Sequence, residues 1–202
     1  MLEIKDQFEH KIVINKSDFI GLLYPITSKE DIETYLLDAK TKYPKATHYC
    51  YAATLGQNRA WATYQDDGEP KGTAGLPILD VIDHHNLTNA LLVVIRYFGG
   101  IKLGAGGLVR AYSNAASEVL KIANFYEKKE VYTYTITFPY HLIHQVESLV
   151  LEKGTILQKT FLDMVSFECL IEDQDLSFLD EIKHLLKFEQ GENQFIYIPI
   201  ER

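Results

Sequence analysis

The pattern of apolar and polar residues over positions 1–65 predicts strands interrupted by one helix. Runs rich in β-branched and aromatic residues, separated by turn residues, are typical of strands. The helix should begin with Ser28 as its N-cap and end before Pro44, because apolar residues recur between them at helical spacing. The four predicted strands are His10–Ile14, Phe19–Ile26, Thr47–Leu55 and Arg59–Gln65.

Positions 66–127 contain two polar, glycine-containing segments that separate apolar elements. After the first segment, a short helix is predicted from about Thr73 to Asp83. Leu91–Tyr97 reads LLVVIRY, a continuous apolar run that favours a strand buried on both faces. This strand leads into the second segment, which is followed by a helix predicted to end near Asn124.

Positions 128–202 predict the element order β-α-β-β-α-β, which fits a ferredoxin-like unit. Val131–Phe138 alternates between larger apolar residues and threonines, as expected of a strand. The second helix should turn four apolar residues inward: Leu176, Leu179, Ile182 and Leu186. The polar stretch Glu127–Glu130 is the predicted boundary, and it divides this α+β chain into domains at 1–127 and 128–202.

Charge and composition narrow the classes of function. The net charge of −8 argues against an extended basic face for nucleic acid, although a local basic patch stays compatible with it. Residues 1–127 hold 13 Lys/Arg and 15 Asp/Glu, a net of −2, whereas residues 128–202 hold 7 and 13, a net of −6. The sequence shows no secretory signal and no apolar run long enough to span a membrane. Its two cysteines are far apart and are expected to be reduced and buried. These features predict a cytoplasmic protein that does not enter membranes.

Arg96–Gly107 reads RYFGGIKLGAGG and joins a predicted buried strand to a helix. A glycine-rich turn into a helix exposes backbone N–H groups at the positive end of the helix dipole, which favours anions. The alternative is a tight connection with surface cations, and the spacing matches neither dinucleotide nor phosphate-loop fingerprints. The glycines of this candidate anion site are Gly99, Gly100, Gly104, Gly106 and Gly107, and its candidate cationic donors are Arg96, Lys102 and Arg110.

Asp66–Gly75 reads DDGEPKGTAG and places three carboxylates, Asp66, Asp67 and Glu69, within four residues. One interpretation is a Mg²⁺ site completed by a bound phosphate. The other, which the spacing favours, is a solvated turn in which an aspartate caps its own backbone and Thr73 caps the next helix.

Other side chains are weaker candidates. His48 lies in a predicted strand, where a structural hydrogen bond is the expected role and a ligand or base is the minority interpretation. Four aromatic residues near the two segments are expected to pack in the core rather than to stack on bases: Trp61, Tyr64, Tyr97 and Phe98.

Three strings, ATHYCYA (46–52), DDGEPKGTAGLPIL (66–79) and VVIRYFGGIKLGAGGLVRAY (93–112), resemble the YigZ/IMPACT family at matching spacing. The resemblance implies a first domain like those of a small-subunit ribosomal protein and of domain four of elongation factor G, and a ferredoxin-like second domain. It further implies a role in translation, since eukaryotic relatives act as translational regulators. Two residues depart from the family pattern: Gln65 stands where a serine is common, and Lys71 stands where a serine or another small residue often follows the proline.

The leading hypothesis is therefore a non-enzymatic regulator of translation, or a ribosome- or RNA-associated protein, that needs no cofactor or metal. Its partner would be the ribosome, RNA or a translation-associated protein, with no membrane and an undetermined oligomeric state. The alternative is a Mg-dependent nucleotide- or phosphate-binding enzyme of the galactokinase-like fold group. The predicted binding residues are His48, Asp66, Asp67, Glu69, Arg96, Gly99, Gly100, Lys102, Gly104, Gly106, Gly107 and Arg110.

Overall fold

The computed structural model describes residues 1–172, 174 and 176–200 and confirms a mixed α+β architecture. The described residues form two compact units, one comprising Met1–Glu127 with Pro199 and Ile200, the other lying between Lys128 and Ile198. Each unit is organised around its own buried apolar residues. None of the described helices has the length and apolar character needed to cross a membrane.

The elements of the first unit are β1 (Leu2–Glu3), β2 (Phe8–Ile14), β3 (Ser17–Pro25), α1 (Glu30–Lys42), β4 (His48–Leu55), β5 (Trp61–Gln65), α2 (Gly75–His84), β6 (Ala90–Tyr97) and α3 (Gly104–Lys121). Five of its strands form an antiparallel sheet in the order β2-β3-β6-β4-β5. The four strands predicted before position 66 and the continuous apolar strand are all confirmed; the first two strands pair as a hairpin, as do the two strands after α1.

Strand β6 is central in this sheet, and apolar cores cover both of its faces. Leu92 and Val94 pack with residues of α2 and α3, whereas Leu91, Val93 and Ile95 pack with residues of α1. Two covered faces explain why the sequence of β6 is continuously apolar rather than alternating. The same geometry makes Arg96, near the end of β6, a charged residue in a buried setting.

The beginning of α1 differs from the prediction that Ser28 caps it. The helix starts at Glu30, and no side-chain hydrogen bond caps it. Instead, Asp31 Oδ2 accepts the backbone N–H groups of Thr27 at 2.7 Å and Ser28 at 3.0 Å. These bonds, that of Thr27 first, lower the pKa of the Asp31 carboxyl group. A side chain of the helix therefore bonds the preceding loop, because the carboxylate of Asp31 is a stronger acceptor than the hydroxyl of Ser28.

The elements of the second unit are β7 (Tyr126–Phe138), α4 (Ile143–Lys153), β8 (Gly154–Phe161), β9 (Val165–Ile171) and β10 (Lys187–Pro199). In its sheet β7 and β8 flank β9, and β10 pairs with β7. The first two residues of β7 lie in the first unit and pair with β1.

The prediction of a second α-helix in this unit was wrong. Two short 3₁₀ turns, Ser177–Leu179 and Lys183–Leu185, lie there instead. Apolar residues occur at positions 176, 179 and 182, and this spacing of three suits a turn of three residues better than an α-helix. The inward direction was predicted correctly for Leu179, Ile182 and Leu186, which are buried.

Both cysteines are buried and unpaired, as predicted. Burial raises the pKa of the Cys50 and Cys169 thiols from 9.0 to about 12. Because the folded pKa lies above the unfolded value, this contribution to stability is complete below pH 9.0 and is lost as the pH rises towards about 12.

We expect neither thiol to react with iodoacetamide in the native protein at about pH 8, because the thiolate is the nucleophile. In denaturant both thiols should be alkylated, and intact-protein mass spectrometry distinguishes the two cases. Rapid labelling of the native protein would contradict the buried placement of the labelled cysteine.

Candidate functional site

Asp66 organises the first polar segment through its carboxylate. Oδ1 accepts the backbone N–H groups of Ala74 at 3.1 Å and Gly75 at 2.8 Å, and Oδ2 accepts that of Gly72 at 2.8 Å. The negative charge therefore lies at the N-terminus of α2, where the helix dipole stabilises it. An aspartate therefore caps the backbone of its own segment, as the solvated-turn interpretation expected, and it does so six to nine residues further along the chain.

Thr73 was expected to cap α2, but it does not. Its Oγ1 donates to the carbonyl oxygen of Pro70 at 2.6 Å. The residue at the N-cap position is Ala74, which makes no side-chain hydrogen bond. The cap is supplied by Asp66 because its carboxylate reaches the same N–H groups with a full charge.

Asp67 connects the segment to strand β4. Its Oδ2 accepts the backbone N–H of Tyr49 at 2.6 Å, and its carbonyl oxygen accepts Nδ1–H of His48 at 2.8 Å. Since a carbonyl oxygen can only accept, His48 carries a proton on Nδ1. The structural hydrogen bond expected for His48 is therefore present.

Glu69 is the most deeply buried of the three carboxylates. Its Oε1 accepts hydrogen bonds from Arg96 Nη1 at 2.6 Å and from Tyr112 OH at 2.8 Å. His48 Nε2 lies 3.8 Å from the same oxygen. The side chains of Glu69 and Arg96 are only 4% and 6% exposed, so this ion pair is shielded from solvent.

The three carboxylates thus point at different protein groups rather than at one common centre. Across residues 1–172, 174 and 176–200, no group of three or more His, Cys, Asp or Glu side chains is placed to hold a metal ion. The geometry consequently gives no support to a Mg²⁺ site built from Asp66, Asp67 and Glu69, because each is already an acceptor of protein donors.

Arg96 is held among aromatic rings as well as by Glu69. Strand register places it opposite Phe19 on one neighbouring strand and His48 on the other. Its Cζ atom lies 5.4 Å from the ring centroid of Phe19 and 5.3 Å from that of Phe98. Its Nε atom is buried, and among the described residues it has no hydrogen-bond partner.

Tyr112 completes the buried network but is missing from the predicted site residues. Its ring packs edge-on against Phe19 at 5.3 Å, and burial raises the pKa of its phenol, so it stays a proton donor to Glu69. Cys50 Sγ donates to the carbonyl oxygen of Asp66 at 2.9 Å. The signal for Tyr112 was its place on the inward stripe of α3, beside Ala111 and Ala115.

The glycines of the second segment have separate structural roles. A Cβ at Gly99 would lie 1.9 Å from the carbonyl oxygen of Lys16, so only glycine allows this close approach. Gly100 and Gly104 adopt φ angles of 87° and 70°, which favour glycine. Helix α3 begins at Gly104 rather than after Gly107, so Gly106 belongs to its first turn, as does Gly107.

The two polar segments line one cavity of about 330 Å³ in the first unit. Its lining consists of Glu69, Pro70, Arg96, Phe98, Lys102, Leu103, Gly104, Ala105 and Leu108. Four of the predicted binding residues contribute to it: Glu69, Arg96, Lys102 and Gly104. The other eight do not: His48, Asp66, Asp67, Gly99, Gly100, Gly106, Gly107 and Arg110.

The cavity also includes an aromatic residue that was expected in the core. Phe98 is 46% exposed, and the same expectation fails for Tyr64 on β5, which is 42% exposed. Trp61 and Tyr97 pack partly against the core around β6, in agreement with the expectation. Phe98 differs because β6 ends at Tyr97, so the sheet no longer covers the next side chain.

Comparison with known proteins places these features in a family. The Impact N-terminal domain matches residues 15–120. The chain is 36% identical to IMPACT family member YvyE of Bacillus subtilis, over 88% of this chain and 82% of the relative, and 34% identical to IMPACT family member YigZ of Escherichia coli, over 68% of each. A crystal structure of a hypothetical protein, 28% identical, covers 95% of this chain and 97% of its own with a TM-score of 0.62.

Proposed function

Because the chain belongs to the IMPACT family, we propose that it is a non-enzymatic, translation-associated protein whose first unit binds RNA. The RNA-binding face consists of Asp66–Gly75 and Arg96–Gly107, which meet at the cavity. The role in translation follows from the family, and the choice of RNA follows from the charge distribution of this face. Ribosomal RNA is the proposed partner, because it takes part in translation and is a polyanion.

The observation that carries this proposal is that the three carboxylates of this face are occupied by protein hydrogen-bond donors, whereas Lys71 and Lys102 remain exposed. Asp66, Asp67 and Glu69 each accept hydrogen bonds from protein donors. Lys102 is exposed beside the cavity, and Lys71 is exposed in the first segment. The two segments hold three carboxylates and three cations, so this face is neutral in a chain of net charge −8, and its exposed lysines can contact the phosphates of a polyanion.

The enzymatic alternative has less support from the geometry. A Mg-dependent phosphate site needs oxygen ligands that point towards a common ion. Here the carboxylates of the first segment stabilise a helix start, a strand and a buried arginine instead. We therefore favour recognition over catalysis and propose no cofactor.

The finer features of the fold and location belong to the same proposal. The order β7-β9-β8, with β10 pairing to β7, supports a ferredoxin-like fold for the second unit. For the first unit, the family resemblance supports a fold like that of a small-subunit ribosomal protein and of domain four of elongation factor G. We propose that the protein acts in the cytoplasm, where translation takes place.

Replacing Lys102 by glutamate should weaken binding to ribosomes and to extracted ribosomal RNA about tenfold. The reason is that charge reversal beside the cavity removes one phosphate contact and adds repulsion. Binding should also weaken as salt rises from about 50 to 200 mM. Co-sedimentation measures the affinity for ribosomes, and filter binding measures the affinity for extracted ribosomal RNA.

Lys121→Glu is the matched control, since it makes the same charge change at the other end of α3. The helix has 18 residues and is therefore about 27 Å long. Lys121 pairs on the surface with Glu118, a type of contact that contributes little to stability. Equal losses in both variants, or binding insensitive to salt, would contradict RNA recognition by this face.

A further inference from the structure

We infer that the cavity holds one nucleotide of an unpaired RNA segment, with its phosphodiester at Lys102 and the start of α3 and its base against Phe98. This inference rests on the proposed RNA-binding function and narrows it to single-stranded RNA. It assigns separate tasks to the two sides of the cavity, one polar and cationic, the other apolar.

The cationic side combines a helix N-terminus with a buried donor. Gly104 and Ala105, at the start of α3, line the cavity, and the first turn of this helix carries no acidic residue. Arg96 lines the same cavity, and its buried Nε lacks an acceptor among the described residues. An unsatisfied charged donor in a buried setting is costly, so it points to an acceptor on a ligand.

The charges of the cavity match a single phosphodiester. Glu69 contributes one negative charge, whereas Arg96 and Lys102 contribute one positive charge each, so the lining carries a net charge of +1. The helix N-terminus adds a partial positive charge. A phosphodiester carries one negative charge, and backbone N–H groups at a helix start are suitable donors for its oxygens.

The apolar side suits a base. Phe98 is 46% exposed, and Pro70, Leu103 and Leu108 add further apolar lining. Bases of single strands stack on aromatic side chains without strong sequence preference. The cavity volume of about 330 Å³ lies at the small end for ligand sites, which suits one nucleotide. Paired bases of a duplex are stacked on one another and cannot enter, so the geometry selects unpaired RNA.

The experiment compares a fluorescent oligouridine of about 12 nucleotides with an RNA duplex of the same length, using anisotropy. The wild-type protein should bind the single strand at least about tenfold more tightly than the duplex. Phe98→Ala should weaken single-strand binding about tenfold and leave duplex binding unchanged. Lys102→Gln should reduce the salt slope by about 0.7, the value for one phosphate contact on a single strand.

Tyr64→Ala is the matched control, because Tyr64 is an aromatic of similar exposure, 42%, that does not line the cavity. Its affinity for the oligouridine should equal that of the wild type. Thermal melts of all variants show whether they are folded.

The outcomes separate this inference from the proposed function. Equal binding of single strand and duplex, with no effect of Phe98→Ala, overturns the nucleotide site but leaves RNA binding intact. No binding of either RNA or of ribosomes overturns both proposals.

Discussion

Replacing Arg96 by methionine should destabilise the protein by about 3–5 kcal/mol, because the substitution leaves the buried carboxylate of Glu69 without a counter-charge. The two side chains are 6% and 4% exposed, so water cannot take over the lost interaction. The hydrogen bond from Tyr112 remains, but a phenol does not neutralise a carboxylate. Urea denaturation, followed by far-ultraviolet circular dichroism, measures the change in the free energy of unfolding.

Two further variants make the prediction specific to the buried pair. Arg59→Met removes an arginine that pairs with Asp83 at the surface, and it should change the free energy of unfolding by about 1 kcal/mol at most. The double variant Arg96→Met/Glu69→Leu should regain much of the loss, since an apolar pair often replaces a buried ion pair at little cost. A change of less than about 1 kcal/mol in Arg96→Met alone would show that Glu69 finds other compensation.

This structural role explains why binding is better tested at Lys102 and Phe98 than at Arg96. Loss of Arg96 should disturb the fold and the charge of the cavity together, so reduced RNA binding would have two explanations. Lys102 and Phe98 are exposed, whereas Arg96 is buried. Their substitution separates recognition from stability.

The elements that the sequence predicted well are those specified by local patterns. The run LLVVIRY predicted a strand with two covered faces, and β6 lies between two apolar cores. Turn residues at positions 15 and 16 adopt positive φ angles of 46° and 65°, as a tight hairpin requires. In each case the residues that decide the structure are close neighbours in the chain.

The predictions that failed depended on partners distant in the sequence or on subtle spacing. Asp66, rather than Thr73, caps α2, because the loop folds back over eight or nine residues to present its carboxylate. The segment 176–186 has inward apolar residues but forms 3₁₀ turns, since a spacing of three and one of four are hard to distinguish over so short a stretch.

The site shows the same limit. Its two segments were both identified from glycine and charge, yet the cavity they share depends on strand register. Arg96 pairs with Glu69, 27 positions away, because β6 lies beside β4 and the segment that contains Glu69 is bonded to β4 through Asp67. Sequence alone made Arg96 a candidate donor to a ligand, whereas the fold buries it and engages its Nη1 with Glu69.

Replacing Asp66 by alanine should destabilise the protein by about 3 kcal/mol, because the backbone N–H groups of Gly72, Ala74 and Gly75 lose a charged acceptor together. Asp66→Asn keeps one carbonyl oxygen and should cost about half as much. Asp80→Ala, at an exposed position of α2, is the control and should stay within about 0.5 kcal/mol of the wild type.

Hydrogen exchange gives the Asp66 prediction a local readout. The amides of Gly72, Ala74 and Gly75 should exchange faster in Asp66→Ala, while amides of the central strand β6 change only with global stability. Glu69 and Pro70 lie in the same loop and line the cavity. Loosening of this loop should therefore also weaken oligouridine binding, although the substitution removes no cation. A variant with faster loop exchange and unchanged RNA affinity would mean that the Asp66–Gly75 loop is not part of the RNA-binding face.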